Sequence, residues 1–356
     1  MKLLVLCSSY PDNNGDVGMN YVHTRNISSV KSGLDVTVIK FSTKDCYTKD
    51  GVKVISLAEF ERRKETLYDI LVCHAANLKY HYRFLSKYSN RFSDIVFFYH
   101  GHEVMKLNTE YPKEYPFLKR NTVGELIVPI YDNMKFFLWR RFLKNSVNKV
   151  YFVVVSDLMY DVFKKNIKLD ERTFHERIHI IYNSVSKNYE TLRYDVTGSK
   201  KYDFVTIRAN IDTSKFAIDL VNKFASRNPD YKFLLVGKGS YFEHYDKAKN
   251  IERLERYLNQ DEIVDILNQS RCALMATRVD AQGVMACEMA TFGIPLITSD
   301  IPVCRYVLKD FTDVAFIDNN SDGHELPSLF ESLKPCVADT NERFFEKNTI
   351  NKEIEL

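Results

Sequence analysis

Two carboxylates stand eight positions apart in DAQGVMACEMATFGIPLITSD, residues 280–300 of this 356-residue chain. Asp280 lies in a polar loop and Glu288 in a short apolar stretch that stops at Gly293-Ile294-Pro295, a helix-ending signal of Gly followed by Pro. The pattern predicts a helix starting near Gly283, with Asp280 just ahead of it, where unpaired backbone N–H groups and the helix dipole favour anions. Glu288 falls about one turn inside, and helical side chains lean back toward the N-terminus. Two acids flanking an anion-receptive loop can bind sugar hydroxyls while the N–H groups bind phosphate, the outline of a sugar-nucleotide pocket. An amphipathic helix with one solvated Glu fits these residues equally well.

Other chemistry-bearing residues fall after short apolar runs that read as strands. His100 follows IVFFY and precedes Gly101; Arg208 follows FVTI; Gly237 and Gly239 follow KFLLV; Asn183 follows IHIIY. Gly15 and Gly18 lie in the loop after the first strand, LLVLC, and do not complete the GxGxxG dinucleotide pattern. His100 and His102 with Glu103 lack further ligands at metal-site spacing, so no metal is expected.

The elements that must carry these residues alternate strand and amphipathic helix through both halves, the pattern of parallel sheets with crossover helices. At this length two domains are expected, each with its own core. The polar stretch Ser184–Tyr202 reads as the linker. The predicted domains are therefore 1–184, 185–338 and a terminal helix at 339–356 that packs back on the first. In such sheets ligands bind at the carboxyl ends of strands, which favours a site in a cleft between the two halves. Residues 106–134 have weak periodicity and are expected to form a loop plus a short helix. Lys135–Val147 is expected to be a basic, aromatic helix with Trp139 in the core.

Bulk properties narrow the class. The seven cysteines are odd in number and contain no CxxC pair, which points to buried thiols of a reducing compartment and away from a disulfide framework. MKLLVLCSSYP is too short for a signal peptide core, and no run has the roughly 18–20 apolar residues of a membrane span. A cytoplasmic protein is expected, or one peripheral on the inner face of the cytoplasmic membrane. The net charge of +3 divides into +8 for residues 1–165 (25 Lys and Arg against 17 Asp and Glu) and −5 for the rest (25 against 30). A basic first half suits an anionic substrate and leaves an anionic membrane surface open as a partner. No nucleic-acid-binding signature is present.

With loop, helix and strands in order, the chain resembles family 4 retaining glycosyltransferases, the two-Rossmann-domain B-fold type also described as glycosyl transferases group 1. The resemblance rests on Asp280-x7-Glu288 with Gly293-Ile294-Pro295, and on LLVLCSSYPDNNGDVGMN, FFYHGHE, VVVSDLM, IHIIYNSV, TIRANIDTSK and LLVGKG. It implies two Rossmann-like α/β/α domains facing across a cleft, an acceptor-side domain first and a donor-binding domain second. It further implies that Gly15 and Gly18 approach the donor and that His100 bonds the transferred sugar. Arg208 and Lys215 would clamp the diphosphate, and Glu288 would hold the ribose. Asp280 would bind sugar hydroxyls, helped by the backbone of Gln282, Gly283 and Val284; Asn183 and Gly237 complete the implied donor contacts. No cofactor or metal is implied; the donor is a UDP- or GDP-hexose, UDP first. The acceptor is a saccharide or lipid-linked saccharide. The chain departs from the family pattern in having Asp280 for Glu, Phe216 for the Gly after the Lys, Ser184 for Gly, and Arg208 and Lys215 seven apart. A sugar-nucleotide epimerase or hydrolase, and a non-catalytic sugar-nucleotide binder, are alternatives on the same fold.

Overall fold

The computed structural model describes residues 1–13, 18–63, 67–118, 122–335 and 340–355. The chain divides into two compact units. The first comprises residues 1–107, 126–183 and those from Thr349 on; the second comprises 108–125 and 184–348.

The first unit holds eight strands: β1 (Lys2–Cys7), β2 (Asp35–Lys40), β3 (Tyr47–Lys49), β4 (Val52–Ile55), β5 (Ile70–His74), β6 (Asp94–Tyr99), β7 (Val150–Val154) and β8 (Ile178–Ile180). They are ordered β3-β4-β2-β1-β5-β6-β7-β8, and every neighbouring pair is parallel except β3 with β4. Buried β-branched residues such as Val5, Val38, Val54, Val72 and Val153 pack with Phe98 on one face. Strands buried on both faces lose the in–out alternation of a solvated sheet and become near-continuous apolar runs.

The second unit holds β9 (Tyr202–Asn210), β10 (Phe233–Lys238), β11 (Ile251–Leu254), β12 (Ser270–Met275), β13 (Leu296–Ser299) and β14 (Val314–Ile317). The sheet is wholly parallel, in the order β11-β10-β9-β12-β13-β14. Counted within the unit this is 3-2-1-4-5-6, the order of a dinucleotide-binding fold. Its switch point lies between β9 and β12, where successive connections leave in opposite directions. Phe204, Phe224, Leu235, Leu274 and Ile297 centre its core.

Four expectations change. The hairpin strand β3 was not anticipated, although Asp50-Gly51, both at positive φ (50° and 83°), is a turn pair that closes hairpins. The helix expected at Lys135–Val147 runs from Thr122 to Asn145, through Pro129, so the second part of the stretch 106–134, expected to be a loop plus a short helix, is the first half of this one long helix. Ser184–Tyr202 is packed and not a loose linker. It carries the short helix Lys187–Thr191, with Tyr189 fully buried, and Tyr194 is tied by its N–H to the Phe292 carbonyl and by its hydroxyl to that of Ser270. Isolated aromatics among polar residues gave no periodic signal but bury well. In the tail only Ile350–Ile354 is α-helical, after a 3-10 turn at Glu346–Asn348. Residues 340–348 pack with the second unit and Thr349 onward with the first.

Candidate active site

In the second unit the switch point collects the predicted residues. Arg208 stands at the carboxyl end of β9 and is buried; its Nη2 donates to the Ala276 carbonyl, just beyond β12, at 2.8 Å. Its Nε is buried with no hydrogen-bond partner, and its guanidinium lies 4.6 Å from the centre of the Phe216 ring. Burial lowers its pKa to about 10, with the charge of Asp280 pulling the other way, so it remains a cation at neutral pH. The Lys215 ammonium sits over the same ring at 4.5 Å, and neither cation has a salt bridge among the described residues. A buried charge without an ion-pair partner is costly; Arg208 is such a charge, and with the half-buried Lys215 beside it this strand-end crevice is electrostatically suited to an anion.

The local fold explains how both cations reach this point. The turn Ser214–Phe216 ends with Ala217 in the left-handed conformation (φ 51°), from which the helix Ile218–Arg227 departs. The Lys215 carbonyl accepts from Arg278 N–H at 2.7 Å and from Thr277 Oγ1 at 3.0 Å, pinning the turn to the loop after β12. Phe216, a departure from the pattern of the resembled family, supplies the shared ring.

Gly237 was expected to touch the donor, but its surroundings show a backbone reason for the residue. A Cβ there would lie 2.3 Å from the Arg208 carbonyl oxygen, and its φ is 152°. β10 can cross this close to the end of β9 only without a side chain, so Gly237 sets the course of the chain at Arg208.

The helix predicted near Gly283 runs Val284–Phe292, with Gly283 (φ 75°) and Gly293 (φ 91°) left-handed at its ends. No side chain caps its N-terminus. A Cβ on Gly283 would lie 3.8 Å from Asp280 Oδ2, which places the Asp280 carboxylate beside that N-terminus, its Oδ1 accepting from Ala281 N–H at 2.8 Å. Val284 opens the helix. Gln282 is buried, with its amide nitrogen against the Cys287 sulfur at 3.8 Å. Glu288 is 5 % exposed, and its Oε1 accepts from the Ser186 N–H at 3.1 Å. Burial raises its pKa to about 7, the Ser186 bond partly opposing. Ser186, in the stretch that reads as a linker, holds the Glu288 carboxylate, and nothing in the sequence signals that contact.

A second support comes from residues 108–118. Tyr115 is buried in this unit's core and donates to Asp219 Oδ1 at 2.6 Å; Asp219 also receives both terminal nitrogens of Arg278, at 2.8 and 2.6 Å. Glu114 Oε2 accepts from the Ser214 N–H at 3.1 Å. These bonds brace the turn that carries Lys215.

In the first unit, Gly15 lies outside the described residues. Gly18 lies in the turn before the helix Asn20–Lys31, and Met19 between them is left-handed (φ 56°). His100, at the carboxyl end of β6, places Nε2 3.0 Å from Nδ1 of His74, which ends the neighbouring β5. Burial, with the Arg25 charge adding to it, holds His100 well below the usual imidazole pKa. His74 is held low by burial and by His100. At neutral pH one ring therefore donates and the other accepts. Tyr21 packs on His100 with ring centres 4.6 Å apart. Asn183 has its carbonyl oxygen on Arg25 Nη1 at 2.7 Å, and Arg25 is paired with Glu353. Asn183 is thus held within the first unit's own polar network. Among the described residues no group of three or more His, Cys, Asp or Glu could hold a metal ion. Five of the six described cysteines are buried, and all six are free thiols.

The unit of order 3-2-1-4-5-6 thus carries two cations without salt bridges and two carboxylates about its switch point, the place where open sheets of this order take ligands. The chain as a whole has the fold of the B-type glycosyltransferases. Residues 199–335 match the family model described as glycosyl transferases group 1, so the second unit carries a glycosyltransferase domain and the chain is a transferase. No curated protein matches the chain by sequence. Sucrose-phosphate synthase from Thermosynechococcus elongatus superposes with a TM-score of 0.70 at 10% identity, over 99% of this chain and 97% of that one. A glycosyltransferase from Rickettsia africae gives 0.63 at 13% identity, over 99% and 97%. The catalytic domain of starch synthase IV from Arabidopsis thaliana, bound to ADP and acarbose, gives 0.61 at 10% identity, over 99% and 98%.

Proposed function

We propose that the protein is a retaining glycosyltransferase that moves a hexose from a nucleoside diphosphate donor to a saccharide or lipid-linked saccharide. The proposed setting is surface polysaccharide or glycolipid assembly, in the cytoplasm or on the inner face of the cytoplasmic membrane. The observation that carries the reading is the unpaired cation pair, Arg208 and Lys215, over Phe216 beside Asp280 and an uncapped helix N-terminus. In this reading the cations hold the diphosphate. Glu288, ionised, accepts hydrogen bonds from the ribose hydroxyls, and Asp280 with the amides of Gln282, Gly283 and Val284 receives the sugar. The first unit takes the acceptor side, and its His100 bonds the transferred sugar.

The chemistry is a front-face displacement. As the bond from the anomeric carbon to the diphosphate oxygen breaks, the acceptor oxygen bonds the same face, and its proton passes to the departing diphosphate. Arg208 and Lys215 stabilise the charge that collects on that oxygen, while the protein positions the partners. UDP is the first candidate base.

The test is thermal unfolding with UDP-, GDP-, ADP- and CMP-hexoses, since a ligand that binds only the folded state raises its apparent stability. One donor should stabilise the protein and Arg208→Ala should remove that response and the transfer activity. No response to any donor, or normal turnover by Arg208→Ala, would sink the assignment. Donor consumption without acceptor would point to a hydrolase or epimerase instead.

A further inference from the structure

The helix Thr122–Asn145 carries large apolar residues on the wrong side. Its inward residues are Asp132, Lys135, Phe136, Trp139 and Leu143, all buried. Trp139 meets Phe97 and Tyr82 edge-on, with ring centres 5.5 Å apart in each case. Lys135 is sealed inside, donating to the His102 and Met105 carbonyls at 3.0 and 2.9 Å and paired with Asp132 at 3.1 Å. On the opposite side Ile127, Ile130, Met134 and Phe137 are 53, 67, 48 and 59 % exposed.

Those four recur at spacings of three and four, and the same line continues through exposed Arg141 and Lys144. At 1.5 Å per residue it runs about 25 Å along the helix. Residues at this spacing share one face, so the face is apolar over about its first 15 Å and cationic at its end. Arg140 donates to the Ile167 carbonyl at 2.8 Å, which brings the end of the helix Asp157–Ile167 alongside, with exposed Lys165 and Lys168. No acidic residue stands on the line between 127 and 144.

We propose that this face is a docking surface for an anionic phospholipid bilayer. The apolar residues would enter the boundary between headgroups and acyl chains, and Arg141, Lys144 and the neighbouring lysines would lie against the anionic headgroups. The charge complementarity between the cationic end of this face and anionic headgroups favours this occupant. A second copy pairing helix to helix in parallel would set Arg141 and Lys144 against their own equivalents, which like-charge repulsion opposes. No helix among the described residues is long and apolar enough to cross a membrane, so attachment by this face would be peripheral. The inference deepens the membrane setting proposed above by naming the surface that would serve it, and it is independent of the donor reading.

The experiment is co-sedimentation of the full chain with phosphatidylcholine vesicles made with and without phosphatidylglycerol, in the absence of any donor. The protein should bind the anionic vesicles preferentially and release as salt rises. Ile130→Asp with Phe137→Asp should lower binding at least tenfold, and Arg141→Glu with Lys144→Glu by about fivefold per cation, on the anionic vesicles only. All four positions are exposed, and unchanged thermal unfolding with unchanged Trp139 fluorescence would show that the fold is intact. Equal binding by the Asp variant, or no binding of the parent protein to either vesicle, would overturn the proposal. So would a dimer in light scattering that the Asp variant abolishes while vesicles are ignored, which would assign the face to a second copy.

Discussion

Replacing Glu288 by Gln should make the protein more stable and less able to bind its donor, and the balance should turn on pH. Burial raises the Glu288 pKa from 4.5 to about 7. Between those values the folded state holds the proton more tightly than the unfolded chain, so stability falls as pH rises through this window and levels off above it. At 1.36 kcal/mol per pKa unit the full loss is about 3 kcal/mol. Gln cannot ionise, and its side-chain oxygen can still accept from the Ser186 N–H. Glu288→Gln should therefore match the parent near pH 4 and exceed it by about 3 kcal/mol at pH 8. For a unit of this size that is roughly 6–12 °C in Tm. The assay is thermal unfolding of both proteins across pH 4–8, taking the difference so that other titrating groups cancel. In the parent, donor affinity should weaken as pH falls through 7, because a protonated carboxyl loses an acceptor. In the variant that dependence should vanish, at an affinity lower by about tenfold or more. A stability difference that does not change with pH, or a variant less stable at pH 8, would refute the reasoning about the buried carboxyl.

Two further outcomes follow from the same unit. Gly237→Ala should destabilise it by about 3 kcal/mol, since the new methyl meets the Arg208 carbonyl at 2.3 Å and only a backbone shift can relieve it. Denaturant unfolding checks the loss, and donor binding should fall with it because Arg208 moves. Tyr115→Phe removes a hydroxyl bonded to Asp219 and should cost about 1.5–3 kcal/mol, measured the same way. Limited proteolysis of this variant should cut sooner within residues 108–118, whereas unchanged cleavage would mean that the brace at Asp219 is not what holds them.

Much of the candidate site could be read from residue order alone. Asp280, Glu288, Gly283 and Gly293 form a local unit, because a helix with glycines at both ends needs only its own sequence to set where its side chains point. Arg208 and His100 could likewise be placed at strand ends, because a buried parallel strand writes itself as an unbroken apolar run. The same argument located both sheets and the two-unit organisation, but not the membership of 108–118 or of the tail.

What the sequence by itself determined, then, was the set of strands, their parallel α/β character and the carboxylates and cations that follow them. Only the tertiary structure decided which groups meet. Arg208 and Lys215 share the Phe216 ring, Ser186 reaches Glu288 across 102 positions of sequence, and Gly237 is glycine because the Arg208 carbonyl leaves no room for a Cβ. The pKa of Glu288 is likewise a product of burial. Outward exposure of Ile127, Ile130, Met134 and Phe137 also had to come from the fold. A helical period shows that residues share a face, but which face turns to water depends on what the rest of the chain packs against the other.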